Sequence, residues 1–154
     1  MPNYYLIRFN LLDAPLVASW LLDADDVATF TGERHYPIVG SDVAIWSRDA
    51  TSAHLLLDDG EPVAYGEVVE DDAEGDIEIA RLILAPDRRT CDAGQVLIAS
   101  LCEVASRLFP YDCVWLRVGR ADDRTLSNGM RNGFVEDPAA SGQNFIWLRK
   151  QLCR

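Results

Sequence analysis

The sequence predicts an α/β domain on three observations: a strand–loop–helix unit at its centre, a hairpin signal just before it, and helical segments on either side. The central unit runs over residues 77–108. Residues 77–84 are apolar at nearly every position, with β-branched Ile77, Ile79 and Ile83, as in a strand buried on both faces. Pro86 ends the strand. From Ala93 onward Val96, Leu97, Leu101, Val104 and Leu108 recur at helical spacing. A helix that starts after a strand and a polar loop directs unpaired backbone N–H groups and its positive dipole end into that loop, which makes an anion site. The same outline also fits an ordinary βα unit.

The other elements follow in order. Residues 4–9 alternate as a first strand. Asp13 is placed to cap a helix over residues 14–22, with Leu16, Val17, Trp20 and Leu21 on one side. Asp23, Asp25 and Asp26 open a second short helix that Gly32 ends, and Ser41 or Asp42 caps a third that runs through Trp46. Residues 52–57 and 62–69 pair as a hairpin about Asp58-Asp59-Gly60-Glu61, where Asp-Gly is a strong turn signal. Residues 70–76 form a longer turn that must be solvated, since five of its seven residues are acidic. After the central helix, residues 113–118 read as a buried strand and residues 121–132 as a helix interrupted by Gly129 and ended at Gly133. Residues 134–135 and 144–148 make a closing hairpin.

At 154 residues the chain is expected to form one domain that buries roughly 70% of its unfolded surface. Apolar residues make up 49% of it, which favours a packed core. No run approaches the ~20 apolar residues that span a bilayer, and the opening MPNYYLIRF reads as a strand, not a leader. Cys91, Cys102, Cys113 and Cys153 are widely spaced without a C-x-x-C pair. That argues against a metal site or a disulfide framework and favours a reducing, cytoplasmic setting. The formal net charge is −11, and Lys150 is the only lysine among fourteen basic residues. Such a surface repels nucleic acid and anionic membrane. It serves solubility and would attract a cationic amine.

The stretch Arg89-Thr90-Cys91-Asp92-Ala93-Gly94, followed by Gln95, resembles the [QR]-x-x-G-x-[GA] acetyl-CoA loop of the GNAT N-acetyltransferases, with Asp92 where the family usually has its first glycine. The preceding residues 78–86 resemble the family's strand and its "V-x-P" exit. Leu116, Val118, Gly133 and Phe134 match its C-terminal "L-x-V … G-F" segment. There Asp122 replaces a common asparagine and Gly129 a common tyrosine. Trp20, Thr31-Gly32, Tyr36-Pro37 and Trp46 resemble the N-terminal half of some bacterial members. The resemblance implies the GNAT fold, a mixed, mostly antiparallel twisted sheet of six to seven strands flanked by helices.

It also implies a chemistry: direct attack of an amine on the acetyl thioester of acetyl-CoA, with no metal. The backbone of residues 89–95 would cradle the pyrophosphate, with Arg88 and Arg89 adding charge and Gly94 allowing close approach. The Leu82 amide would polarise the thioester carbonyl, and Leu84 would bond the pantetheine arm. Glu78 would be the base, and burial would raise its pKa into a useful range. Glu67 is the second choice and otherwise would hold a cationic acceptor, whose cleft His35 and Tyr36 would line. No general acid can be assigned, since Gly129 has no side chain. The acceptor would be a primary amine of a small molecule or peptide, and a homodimer involving Trp46, Trp115 or Trp147 is an expectation of the same kind. Asp92 and Gly129 also keep open a second reading, an inactive GNAT-like domain that binds acyl-CoA or a protein.

Overall fold

The computed structural model describes residues 1–152, so Cys153 lies outside the described residues. The elements are β1 (Tyr4–Arg8), α1 (Ala14–Ser19), α2 (Ala24–Thr31), α3 (Gly40–Asp49), β2 (Ser52–Asp58), β3 (Glu61–Asp71), β4 (Asp76–Leu84), α4 (Ala93–Leu108), β5 (Cys113–Gly119), α5 (Asp123–Arg131), β6 (Val135–Glu136) and β7 (Phe145–Gln151). The seven strands form one sheet in the order β1-β2-β3-β4-β5-β7-β6. All neighbours are antiparallel except β4 and β5.

Local chemistry explains most boundaries. Asp59 and Gly60 both have positive φ, 51° and 85°, as the two-residue turn of the β2–β3 hairpin requires. The Asp23 carboxylate accepts the Asp26 N–H at 2.8 Å and so starts α2, which left-handed Gly32 (φ 76°) ends. At α3 the Asp42 carboxylate reaches back to the Val39 N–H, 2.8 Å. The first helix departs from expectation. Asn10, not Asp13, supplies the side-chain cap, accepting from the Leu12 N–H at 2.9 Å to open a 3-10 turn ahead of α1. Leu16 is exposed, while Val17, Trp20 and Leu21 are buried. The α5 helix runs through Gly129 without interruption.

Two apolar clusters lie on opposite faces of the sheet. Leu97, Ile98, Leu101 and Ala105 of α4 pack on Ile77, Ile79 and Leu82 of β4 and on Val114, Leu116 and Leu148 of β5 and β7. On the other face Val17, Trp20, Val27, Val43 and Trp46 of α1–α3 cover Leu55, Tyr65 and Ile83. This second cluster contains no residue of β5 or β7. The face of those two strands opposite α4 therefore forms an open wall beside the N-terminal helices.

The central strand is not buried on both faces throughout. Its register against β3 shifts between Tyr65↔Ile83 and Glu67↔Ala80, so two steps on β3 face three on β4. The extra residue makes a bulge in which Arg81 adopts φ 48°, a conformation uncommon for a non-glycine residue. Before the bulge β4 pairs with β5 at Ile77↔Val114, Glu78↔Trp115 and Ile79↔Leu116, and there the ladder ends. Beyond it the two parallel strands continue to Leu84 and Gly119 without pairing with each other. A bulge bends its strand, and here the bend coincides with the gap.

Candidate active site

The gap between β4 and β5 frees part of the β4 backbone. Ala85 N–H donates to Val63 O on β3, 2.9 Å. Because N–H groups alternate in direction along a strand, those of Leu84 and Leu82 point to the side from which β5 has departed. Both side chains lie on the α4 face, which leaves these amides at the edge of the gap. The sequence-predicted roles of Leu82 and Leu84 thus fall on backbone groups with no ladder partner.

The loop after β4 leads to the N-terminus of α4. The first intrahelical bond there is Val96 N–H to Asp92 O, 3.0 Å, and among the described residues no side chain caps the turn. The N–H groups of Ala93, Gly94 and Gln95 are accordingly free to meet an anion. The surrounding side chains are arranged differently from expectation. Arg88 pairs with Asp58 at 2.5 Å. Arg89 pairs with Asp26 at 3.1 Å, donates to Trp20 O at 2.6 Å and stacks on Phe30. Both guanidinium groups tie the loop to β2 and α2, so the positive potential at the loop comes from backbone. The Asp92 carboxylate accepts the Tyr4 hydroxyl at 2.7 Å, which fixes it toward β1. Thr90 and Cys91 are exposed, and the Cys91 thiol donates to Arg88 O at 3.0 Å. Gly94 is explained by packing as well: a Cβ there would lie 2.6 Å from Asn128 Nδ2 of α5.

Glu78 is half-buried on the face opposite α4. Burial raises its carboxyl pKa, while Arg117 and Arg81 pull it back down. Among the described residues it has no direct hydrogen-bond partner, so its carboxylate is free to accept a hydrogen bond or a proton. Glu67, expected to meet a cationic acceptor, does not. It is fully buried, accepting the Tyr65 hydroxyl at 2.5 Å on one oxygen and the Arg81 guanidinium at 2.9 Å on the other. Arg81 also pairs with Glu33 at 3.3 Å and lies 4.9 Å over the Trp46 ring. The bulge residue is thereby clamped from three sides.

His35 and Tyr36 are both exposed. His35 Nε2 lies 3.5 Å from Asp42 Oδ1, and the Tyr36 hydroxyl donates to Leu22 O at 2.8 Å. Both bond back to their own helical layer. Trp46 is buried beneath Arg81, so it is not a surface for a second copy.

The open wall carries residues that the sequence reading did not single out for the site. Arg117 on β5 sits 5.5 Å over Phe145 and 5.9 Å over Trp147, and Trp115 meets Trp147 edge-on at 6.1 Å. Alternation of buried Val114, Leu116 and Val118 within residues 113–119 was the available signal, since it sends Trp115 and Arg117 to the other face. Two surface hollows, about 380 Å³ along α4 and Lys150 and about 430 Å³ beside β1 and Arg107, lie on the α4 side, away from Glu78.

Gly129 is buried in α5, where a Cβ would come within 2.9 Å of Leu148 and 3.2 Å of Leu116. Asp122 caps that helix through the Thr125 N–H, 3.1 Å, a task that an aspartate performs as well as an asparagine.

Comparison with known proteins fits this geometry. The chain is similar in structure to spermidine N-acetyltransferase from Vibrio cholerae in complex with CoA and spermine, with TM-score 0.78 and 13% identity over 97% of this chain and 95% of that one. It is similar to an aminoglycoside acetyltransferase in complex with coenzyme A, with TM-score 0.77 and 15% identity over 97% and 95%. A domain from Methanocaldococcus jannaschii gives TM-score 0.81 at 12% identity over 99% and 100%. These identities establish a shared fold. No curated protein matches the sequence. The family model described as the acetyltransferase (GNAT) family matches residues 16–133, well over half of the chain, and the chain belongs to that family.

Proposed function

We propose that this protein transfers the acetyl group of acetyl-CoA to a primary amine of a small molecule or peptide by direct attack. The observation that carries the proposal is the β4–β5 gap, which sets the unpaired Leu82 amide on the strand that also bears half-buried Glu78. Bound at this gap, acetyl-CoA supplies the reactive thioester. The N–H groups of Ala93, Gly94 and Gln95 receive its pyrophosphate, and Leu84 bonds the pantetheine arm. Glu78 takes a proton from the acceptor ammonium. The free amine forms the new C–N bond, the C–S bond breaks with the sulfur keeping the electron pair, and the second nitrogen proton passes through solvent to the departing thiolate. The Leu82 N–H is aimed at the carbonyl oxygen, where negative charge develops. A thiolate leaves without assistance, so the lack of a side chain at Gly129 does not block the step.

A second reading, an acyl-CoA or protein binding module without transfer, is favoured by one observation. Asp92 places a carboxylate at the mouth of the cradle while Arg88 and Arg89 are engaged elsewhere. Calorimetric titration with acetyl-CoA, CoA and a pantetheine fragment, followed by thiol-release assays with a panel of amines, tests both. Micromolar binding that needs the pyrophosphate, with amine-dependent release of thiol, is expected. Binding without release would favour the module.

Asp92→Asn keeps an acceptor for the Tyr4 hydroxyl and removes one negative charge. Charge repulsion across solvent at close range amounts to about 1 kcal/mol, so acetyl-CoA should bind about fivefold tighter at low salt. The gain should shrink as ionic strength rises. An unchanged dissociation constant at low salt would mean that the carboxylate is too remote to matter.

A further inference from the structure

We infer that the acceptor carries a carboxylate close to its amine, and that Arg117 receives this carboxylate while Glu78 receives the amine. The inference rests on the transferase reading above and names the acceptor class.

Arg117 lies on β5 at the point where β4 parts from it. Glu78 pairs with Trp115 across the ladder, and Arg117 is two residues further on the same face. With strands about 4.8 Å apart and about 3.3 Å of rise per residue, the two Cα positions are roughly 8 Å apart. Two side chains directed into one space across that distance suit a short zwitterion. The Arg117 charge also pulls the Glu78 carboxyl pKa down, in keeping with two groups facing the same space.

The guanidinium is held but not neutralised. Phe145 and Trp147 sit beneath it. At the end of α2, a Cβ on Gly32 would come within 3.3 Å of its Nη2, so a side chain there would crowd the group. Among the described residues no carboxylate lies within ion-pair distance of Arg117. By contrast Arg81 has two, and Arg88, Arg89 and Arg149 each have one. The chain has 25 acidic residues against 14 basic ones, so partners are abundant. Arg117 is exposed on the open wall, where its guanidinium lies over two aromatic rings. The planar fork of a guanidinium takes a carboxylate through two parallel N–H bonds, and among the described residues no acceptor hydrogen-bonds that of Arg117.

The test uses the full chain, with glycine, L-methionine, L-phenylalanine and L-glutamate as probes, each compared with its carboxamide. Binding is read by calorimetry with and without CoA, and transfer by thiol release with acetyl-CoA. At least one free amino acid should bind and be acetylated with kcat/KM about 10- to 100-fold above its amide, the range for a hydrogen-bonded charge pair. In Arg117→Gln that preference should fall close to one, and Arg117→Lys should restore part of it. Amides used as well as the free acids, or a preference that survives Arg117→Gln, would overturn the inference while leaving the transferase reading standing. Carboxylate-dependent binding without acetylation would remove the transferase reading and keep the Arg117 site. Neither binding nor turnover with any free acid would overturn the inference.

Discussion

Glu78→Gln is expected to lower turnover by about 100-fold or more, the usual contribution of a positioned base, while raising the melting temperature. The two effects have one origin. Glu78 is half-buried, and burial raises its carboxyl pKa despite Arg117 and Arg81. A raised folded pKa means that the native state holds the proton more tightly than the unfolded chain does. Its contribution to stability is then full below the ordinary carboxylate pKa and is lost as pH rises through the raised value. Glutamine removes that loss, so the variant should melt higher at neutral pH and differ little at acid pH. Catalysis has the opposite requirement, since only the deprotonated carboxylate accepts a proton. The wild-type rate should therefore climb with pH through the raised pKa, and the climb should vanish in the variant. At high pH, where the acceptor amine is already free, the defect should narrow. Saturating acetyl-CoA in steady-state assays isolates the step, and calorimetry checks that cosubstrate binding is retained. Wild-type turnover in Glu78→Gln would place the base elsewhere.

The parts of this molecule that were legible in the sequence are those set by neighbours in the chain. The Asp59-Gly60 turn, the Asp23 cap, the Gly32 stop and the extents of β4 and α4 depend on local chemistry, and each was readable from a few residues. The loop between β4 and α4 was legible as backbone but not as side chains. Arg88 and Arg89 looked like phosphate ligands because their partners, Asp58 and Asp26, are 30 and 63 positions away along the chain. Glu67 looked like a cleft residue because nothing local reveals that Tyr65 and Arg81 close over it. Arg81 is the second charge in the apolar run, after Glu78, and it proves to be the bulge at which β4 parts from β5. Arg117 carried the same signal, a charge between buried Leu116 and Val118. Charged residues inside apolar strands were the informative positions here, more so than the loop motif.

Glu67→Ala should be strongly destabilising, and its cause is the bulge. Glu67 is fully buried. Burial pushes its carboxyl pKa up, and the Tyr65 hydroxyl and the Arg81 guanidinium pull it back. Taking away one member of such a buried pair leaves the other charge uncompensated, which costs about 3–5 kcal/mol. For a domain of this size that corresponds to a fall in melting temperature of roughly 6 to 20 °C. Glu33, the remaining partner of Arg81 at 3.3 Å, limits the loss but does not fill the space. Arg81 Nε has no hydrogen-bond partner among the described residues, so the cluster tolerates little further loss. Glu67→Gln keeps acceptor oxygen for Arg81 or Tyr65 and should cost less. Removing both charges together, Glu67→Leu with Arg81→Met, should recover much of the stability lost in Glu67→Ala, as paired apolar replacement does elsewhere. That recovery should not extend to function. Without Arg81 clamped by Glu67, Glu33 and Trp46, nothing holds β4 in its left-handed bulge, and the Leu82 amide loses its aim at the gap. A stable but inactive double variant would show that the buried pair serves the geometry of β4; restored turnover would show that the bulge forms without it.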